Sequence, residues 1–274
     1  MHGSSTVQLS IQKVNTSVGT TADDILAAEE PLEIRLEYSE TGLRVQKTIS
    51  VTMRTPGNDE ELAAGFLFTE GIIGSADDIS ILPIKAENVL TISVNPSVKV
   101  DIDKLERHFY TSSSCGVCGK TSIEAIKTVC GMTGIKNENS YAASLIHQLP
   151  AKLRNGQKVF EQTGGLHASA LFDKDGKLLL VREDVGRHNA LDKLIGAAML
   201  TGMLPLNEHI LLLSGRISFE LIQKASMAGI KMITAVGAPS GLAVETAISF
   251  DMTLIGFLRD QRFNIYSGAQ RIVI

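Results

Sequence analysis

The chain has 274 residues, 44% of them hydrophobic, enough to bury one large core or two small ones. Thirty acidic against twenty-six basic residues leave a net charge of −4, which excludes bulk attraction to nucleic acid or to a membrane surface. No basic stretch followed by an apolar run opens the chain, and glycine, proline or charge interrupts each apolar segment short of a membrane span, so a cytoplasmic protein is expected.

Residues 1–30 are polar and weakly patterned, and they read as frayed chain or an edge strand. Leu32, Ile34, Leu36 and Tyr38 alternate, as do Val45, Ile49, Val51 and Met53 beyond the turn at Thr41-Gly42, which predicts a hairpin. Arg54-Thr55-Pro56-Gly57 breaks it. Asn58 is placed to cap a helix through Asp59-Glu60-Glu61, with Leu62, Ala63, Phe66 and Leu67 facing the core and Gly71 closing it. Two β runs follow at Ile79–Ile84 and Val89–Val94, then a short helix at Asp101–Phe109.

The next stretch, Ser112-Ser113-Ser114-Cys115-Gly116-Val117-Cys118-Gly119-Lys120, holds two of the three cysteines and cannot build a core. Thr121-Ser122-Ile123-Glu124 has the form of a capping box, and Ile123, Ile126, Val129 and Cys130 recur at helical spacing before Gly131. The two thiols thus precede a helix N-terminus and sit beside Lys120, both of which favour the nucleophilic thiolate. Cys130 reads as a small buried hydrophobe. A structural zinc site lacks two further ligands at suitable spacing, and a structural disulfide does not suit a chain without a secretion signal. A thioredoxin-like redox pair stays open at this point.

From about residue 138 the rhythm changes. Helices are predicted at Tyr141–Leu149 and Ala151–Phe160, then a hairpin of Leu166–Phe172 and Leu178–Arg182 around Asp173-Lys174-Asp175-Gly176. Helix Asn189–Leu200, strand Ile210–Leu213, helix Ile217–Ala228, strand Lys231–Val236, helix Leu242–Phe250 and strand Met252–Phe257 complete the pattern. Continuous apolar strands alternating with helices imply a layered α/β sheet, mostly parallel after the hairpin. Helix, β-hairpin, then helix–strand repeats is also the order of cytidine-deaminase-like folds. The expected organisation is an N-terminal α+β region, residues 1–134, carrying the cysteine loop, and a cytidine-deaminase-like α/β domain, residues 135–274.

Ligands of such sheets bind at the carboxyl ends of the parallel strands. The loops expected there are Arg182–Asn189, Ser214–Ser218, Gly237–Gly241 and Arg259–Arg262. Three of them open a helix, and small residues let an anion approach free N–H groups. Arg182, Arg187, Arg216, Arg259 and Arg262 on one rim suggest a phosphate-bearing ligand. The competing reading is that they pair with Glu183, Asp184, Asp251 and Asp260. Zinc deaminases need a histidine or cysteine with a catalytic glutamate after one strand and Pro-Cys-x-x-Cys after the next, and neither is present, so no metal is expected. His167, in Thr163-Gly164-Gly165-Leu166-His167-Ala168, fits a structural or a functional role equally well.

As a set, these motifs resemble the FdhD-type formate dehydrogenase accessory proteins from about residue 30 onward. The resemblance rests on Arg54-Thr55-Pro56-Gly57, Glu70-Gly71-Ile72-Ile73, Ser113–Lys120, Thr163–Ala168, Arg182–Lys193, Leu213-Ser214-Gly215-Arg216 and Ala238-Pro239-Ser240. It departs at Gly237 and Gly241, where serines are expected and where the swaps would loosen the loop. What the resemblance implies is a cytoplasmic sulfurtransferase. Such a protein takes sulfur from a cysteine desulfurase as a cysteine persulfide and passes it to the molybdenum (or tungsten) bis-pterin guanine dinucleotide cofactor on its way to formate dehydrogenase. The persulfide carrier maps to Cys115, with Cys118 assisting, and the cofactor stretch to Phe257-Leu258-Arg259-Asp260-Gln261-Arg262. Arg187, His188, Ser214, Gly215 and Arg216 would add guanine-nucleotide contacts, and a homodimer is usual. A CxxC disulfide oxidoreductase and a non-catalytic cofactor chaperone are the rival readings.

Overall fold

The computed structural model describes residues 3–40, 42–84, 86–98, 100, 135 and 137–274. The predicted helix at Asp101–Phe109, the cysteine motif with Cys115 and Cys118, and the helix after it lie outside the described residues. Ahead of the first predicted strand, β1 (Thr6–Asn15) and β2 (Val18–Ala27) form a hairpin, a separate two-stranded sheet with most side chains exposed. β3 (Glu30–Glu40) and β4 (Leu43–Arg54) pair antiparallel, as predicted. After the helix α1 (Asp59–Thr69) come β5 (Ile79–Ile81) and β6 (Val89–Val94). β3 to β6 make a four-stranded sheet of order β4-β3-β6-β5, with β3 and β6 parallel. Asn58 stands at the N-cap of α1 in a left-handed conformation, but its side chain makes no capping bond.

Past the short strand β7 (Tyr141–Ala142), α2 (Ala143–Gly156) runs straight through Pro150, where the sequence suggested a break. Ile146, Leu149 and Leu153 lie along its buried stripe, and their burial offsets the cost of about 3 kcal/mol of an interior proline. The chain instead breaks at Gln157, before α3 (Lys158–Thr163). β8 (His167–Phe172) and β9 (Leu178–Asp184) form the expected hairpin, then α4 (Arg187–Leu200), β10 (Ile210–Leu213), α5 (Phe219–Met227), β11 (Met232–Ala235), α6 (Gly241–Ser249) and β12 (Thr253–Arg259) alternate. β13 (Arg262–Ser267) and β14 (Ile272–Val273) close the chain.

These strands build a six-stranded sheet of order β13-β12-β11-β10-β8-β9. β10, β11 and β12 run parallel as expected, whereas the hairpin joins β10 antiparallel through β8, and β13 adds an unforeseen antiparallel edge. Alternate residues feed two cores. Ala168, Ala170, Phe172, Leu212 and Ile255 face α2, while Leu171, Leu211, Leu213, Ile233 and Leu254 join the larger core. That larger core continues through α4, α5 and α6 to α1 and the four-stranded sheet, so residues before and after the cysteine segment share one interior.

α1 and α4 are buried on nearly every face, which explains why neither shows a narrow apolar stripe. They cross at Gly65 and Gly196. A Cβ on Gly65 would overlap the Asp192 carbonyl, and one on Gly196 would overlap the Glu61 carbonyl. Beside this crossing, the Lys224 ammonium lies 3.0 Å from Asp192 Oδ2 and donates to Thr69 Oγ1 at 2.9 Å and Glu70 Oε1 at 3.1 Å. Burial opposes its charge, but the attraction of Asp192 and Glu70 outweighs it and raises the Lys224 pKa.

Candidate functional site

The strand polarity collects the rim loops at one edge of the six-stranded sheet. His167 begins β8 opposite Asp184, the last residue of β9, and Ser169 pairs with Leu213 at the end of β10. Beyond the strands the ladder continues loop to loop. The Gly237 N–H donates to the Gly215 carbonyl at 3.2 Å, Ile217 to Ala238 at 3.0 Å, and Phe257 to Gly237 at 3.0 Å. The loops are thereby fixed in contact, ahead of the helices they open.

Gly237 makes this contact possible. A Cβ there would lie 2.7 Å from the Gly215 carbonyl oxygen and 2.9 Å from the Arg216 nitrogen. The expectation that glycine loosens this loop is therefore corrected: at position 237 the missing side chain lets two backbones touch. Nothing comes within 4 Å of a Cβ at Gly241. Ser240 caps α6 by accepting from the Ala243 N–H at 3.2 Å.

The motif residues divide into scaffold and surface. Asp184 is fully buried; its carboxylate lies 2.8 Å from Lys193 Nζ and accepts from the N–H groups of Thr55 at 3.1 Å and Gly186 at 2.8 Å. Thr55 returns the connection, taking the Val185 N–H on its hydroxyl at 3.2 Å and Lys193 Nζ on its carbonyl at 2.8 Å. Asn189 holds the Met53 carbonyl at 2.8 Å. The Arg54–Gly57 and Arg182–Lys193 motifs are thus two halves of one hydrogen-bonded brace. Glu183 accepts from the Val159 and Phe160 N–H groups at the start of α3. Ser214 clasps β8, its hydroxyl accepting from the Ala168 N–H at 2.8 Å.

The arginines separate in the same way. Arg182 turns away from the rim into a two-bond pair with Glu61 of α1, its Nη2 lying 2.7 Å from Oε1. This arginine is paired, but with none of the four rim acids of the competing reading. Among the described residues Arg187, Arg216, Arg259 and Arg262 make no side-chain hydrogen bond or ion pair, because Asp184 is taken by Lys193, Glu183 by α3 and Asp251 by Arg271. Arg187 Nε is buried without an acceptor among the described residues. Arg259 and Arg262 are cross-strand partners flanking a two-residue turn in which Asp260 (φ 49°) and Gln261 (φ 59°) are both left-handed. Like charges placed opposite each other destabilise a strand pair. Phe257 is partly exposed at φ 54°, on the irregular stretch between Gly256 and Arg259. Leu258 is buried in the core under α2, so its side chain is not part of the rim surface.

The two histidines differ. His188 is turned toward α5, 3.4 Å from Ser218 Oγ and 4.0 Å from Glu220. Burial, reinforced by Lys224 and Arg187, lowers its pKa to about 4. His167 stays at the rim beside Gly215, where a Cβ would lie 3.2 Å from its Nδ1. Burial, then Arg187 and Arg216 against the opposing pull of Asp184, lower its pKa. Sequence reasoning left His167 undecided and missed Thr55 and Lys193 as bracing groups. The signal for the brace was the co-occurrence of two polar motifs, of which Arg54–Gly57 was read only as the end of a hairpin and Arg182–Asn189 as a ligand-facing loop.

A profile of the FdhD/NarQ family matches residues 27–273. This chain belongs to that family. It is 45% identical to the sulfur carrier protein FdhD of Streptomyces avermitilis, with 99% of this chain and 97% of the relative aligned. It is 41% identical to the sulfur carrier protein FdhD of Sulfurisphaera tokodaii, with 97% of this chain and 98% of the relative aligned. A crystal structure from Desulfotalea psychrophila, described as a formate dehydrogenase accessory protein, superposes with a TM-score of 0.75 over 98% of this chain and 99% of that one, at 23% identity, and so shares the fold. In this FdhD/NarQ chain no group of three or more His, Cys, Asp or Glu side chains among the described residues is placed to hold a metal ion, and none of the described helices is long and apolar enough to cross a membrane.

Proposed function

We propose that the protein is a sulfurtransferase: it accepts sulfur from a cysteine desulfurase as a persulfide on Cys115 and passes it to a molybdenum or tungsten bis-pterin guanine dinucleotide for formate dehydrogenase. Family membership supports the sulfur-carrier role. The observation that carries the acceptor is the set of four arginines at one sheet edge with no ion-pair partner among the described residues. Arg216, Arg259 and Arg262 are exposed, and Arg187 Nε lacks an acceptor among the described residues, so an anion at this edge would find accessible guanidinium groups to pair with. The same edge carries the starts of α4, α5 and α6, whose N-terminal ends favour a negatively charged group such as a diphosphate. Phe257, Asp260 and Gln261 supply the remaining contacts to a guanine dinucleotide. The acceptor is substrate, not a resident group. The sheet order, with a hairpin leading three parallel strands, supports a cytidine-deaminase-like fold whose zinc positions are replaced by Gly186-Arg187-His188 and Ser214-Gly215-Arg216. The working form is a cytoplasmic homodimer.

The test is intact-protein mass after incubation with a cysteine desulfurase and cysteine. One added sulfur, lost on reduction and absent from Cys115→Ala, is the expected result, with Cys118→Ala loading but transferring poorly. Full activation of formate dehydrogenase by Cys115→Ala would leave a non-catalytic chaperone in its place. A Cys115–Cys118 disulfide cycling without sulfur gain would make it an oxidoreductase.

A further inference from the structure

We propose that His167 is a proton-linked ligand of this site: it takes up a proton as a phosphate-bearing group settles between Arg187 and Arg216, and donates a further hydrogen bond to it. The inference rests on the anion-binding reading above and adds a residue and a proton to it.

Placement comes first. β8 begins at His167, and its pairing with Asp184 puts the imidazole on the sheet face that carries α4. The ring packs against Gly215, where any side chain would crowd Nδ1. It makes no hydrogen bond or ion pair among the described residues, although it sits within electrostatic range of three charged groups. Those groups come from each neighbouring element: Arg187 from the head of α4, Arg216 from the loop after β10, and Asp184 from the end of β9.

Their balance explains the behaviour. The Asp184 carboxylate is already neutralised by Lys193 at 2.8 Å and by two N–H groups, which limits its pull on the imidazole. The two guanidinium groups have no ion-pair partner among the described residues, and together with burial they favour the neutral ring. An anion between them removes that repulsion and adds attraction of its own. The proton comes from solvent and adds to the free ring nitrogen, and no bond of the ligand breaks. Linkage then runs both ways: an anion that favours the proton is itself bound more tightly when the proton is present. After subtraction of the ligand's own ionisation, affinity should rise about tenfold from pH 8 to pH 6.

The experiment is calorimetric titration of GDP into the full chain at pH 6.5 in two buffers of different ionisation enthalpy, which counts protons taken up. Wild type and His209→Gln, whose altered residue precedes β10 at the other end of the strands, should take up a fraction of a proton beyond that of the nucleotide, and His167→Gln should not. On wild-type protein, NMR titration of the imidazole C–H signals, without and with saturating GDP, should show one histidine moving to higher pKa, so the proposal remains testable if His167→Gln does not fold. GDP binding with no extra proton, with uptake intact in His167→Gln, or with no histidine moving, overturns the role of His167 and leaves the anion site standing. No GDP binding at any pH removes the anion site and this inference with it.

Discussion

Lys193 Nζ and Asp184 Oδ2 lie 2.8 Å apart with both side chains almost wholly out of water, and the pair fixes the loop that presents Arg187. A buried pair of this kind tolerates loss of both charges better than loss of one, because a single truncation strands its partner in a low-dielectric interior. Asp184→Asn or Lys193→Met should each lower the unfolding free energy by about 3–5 kcal/mol. Urea denaturation measures it. A loss below about 1 kcal/mol would mean that the brace between the two motifs carries little of the fold.

Arg182 of β9 and Arg216 of the loop after β10 should fail differently. Arg182→Ala removes a charge-assisted pair with Glu61, so it should cost about 1.5–3 kcal/mol of stability and change GDP affinity less than twofold. Arg216→Ala has no partner to lose among the described residues and should leave the thermal midpoint nearly unchanged while weakening GDP about tenfold or more. Parallel melting curves and titrations decide between the two patterns. Equal effects in both assays would return Arg216 to ordinary surface.

His188 makes stability depend on pH. Burial holds its pKa at about 4, below the ordinary 6.5, so between those values the unfolded chain binds a proton that the folded chain excludes. Its contribution is fully present above about pH 6.5 and is lost as pH falls toward 4, a change of up to about 3 kcal/mol. His167, lowered in the same direction, adds to that slope. Urea midpoints measured every half pH unit should show a shallower decline in His188→Gln than in wild type. A wild-type stability flat from pH 6.5 to 4.5 would show that the ring is accessible.

The two glycines that depart from the expected serines should respond oppositely to the swap. Gly237→Ser meets the Gly215 carbonyl and should cost about 1–3 kcal/mol and disturb GDP binding. Gly241→Ser enters open space at the start of α6 and should stay within about 0.5 kcal/mol of wild type. Denaturation midpoints for both variants check this. A fully stable Gly237→Ser protein would mean that the contact between the loops is not a constraint.

Where burial is one-sided or complete, the sequence was readable. Ile210–Leu213 is apolar at every position because both faces of β10 are covered, and the β3–β4 alternation survives because one face meets α1. The β1–β2 hairpin was missed because solvent touches both of its faces, so no periodicity is imposed on Thr6–Ala27. β13 was hidden by a turn that uses Asp260 and Gln261 in a conformation usually given to glycine or asparagine. In the site, the loops and their arginines were legible from strand-end position, but the direction of each side chain was not. Arg182 and Arg187 lie in one motif, yet one points to α1 and the other to the rim. That choice belongs to the pleat of β9 and the first turn of α4, which residue types alone do not reveal.

The crossing of α1 with α4 has a consequence for how this chain can change over time. At most tight core positions, an enlarged side chain can be rescued by trimming the neighbour it strikes. At Gly65 and Gly196 the obstructing atoms are the carbonyls of Asp192 and Glu61, which every possible residue retains. No second-site replacement can therefore make room. Mutations at these two positions have no local suppressors, and relief can come only from moving one helix bodily away from the other. That movement would shift Glu61 away from Arg182 and disturb the charged cluster around Lys224, so both glycines are locked by backbone geometry and not by the chemistry of any partner.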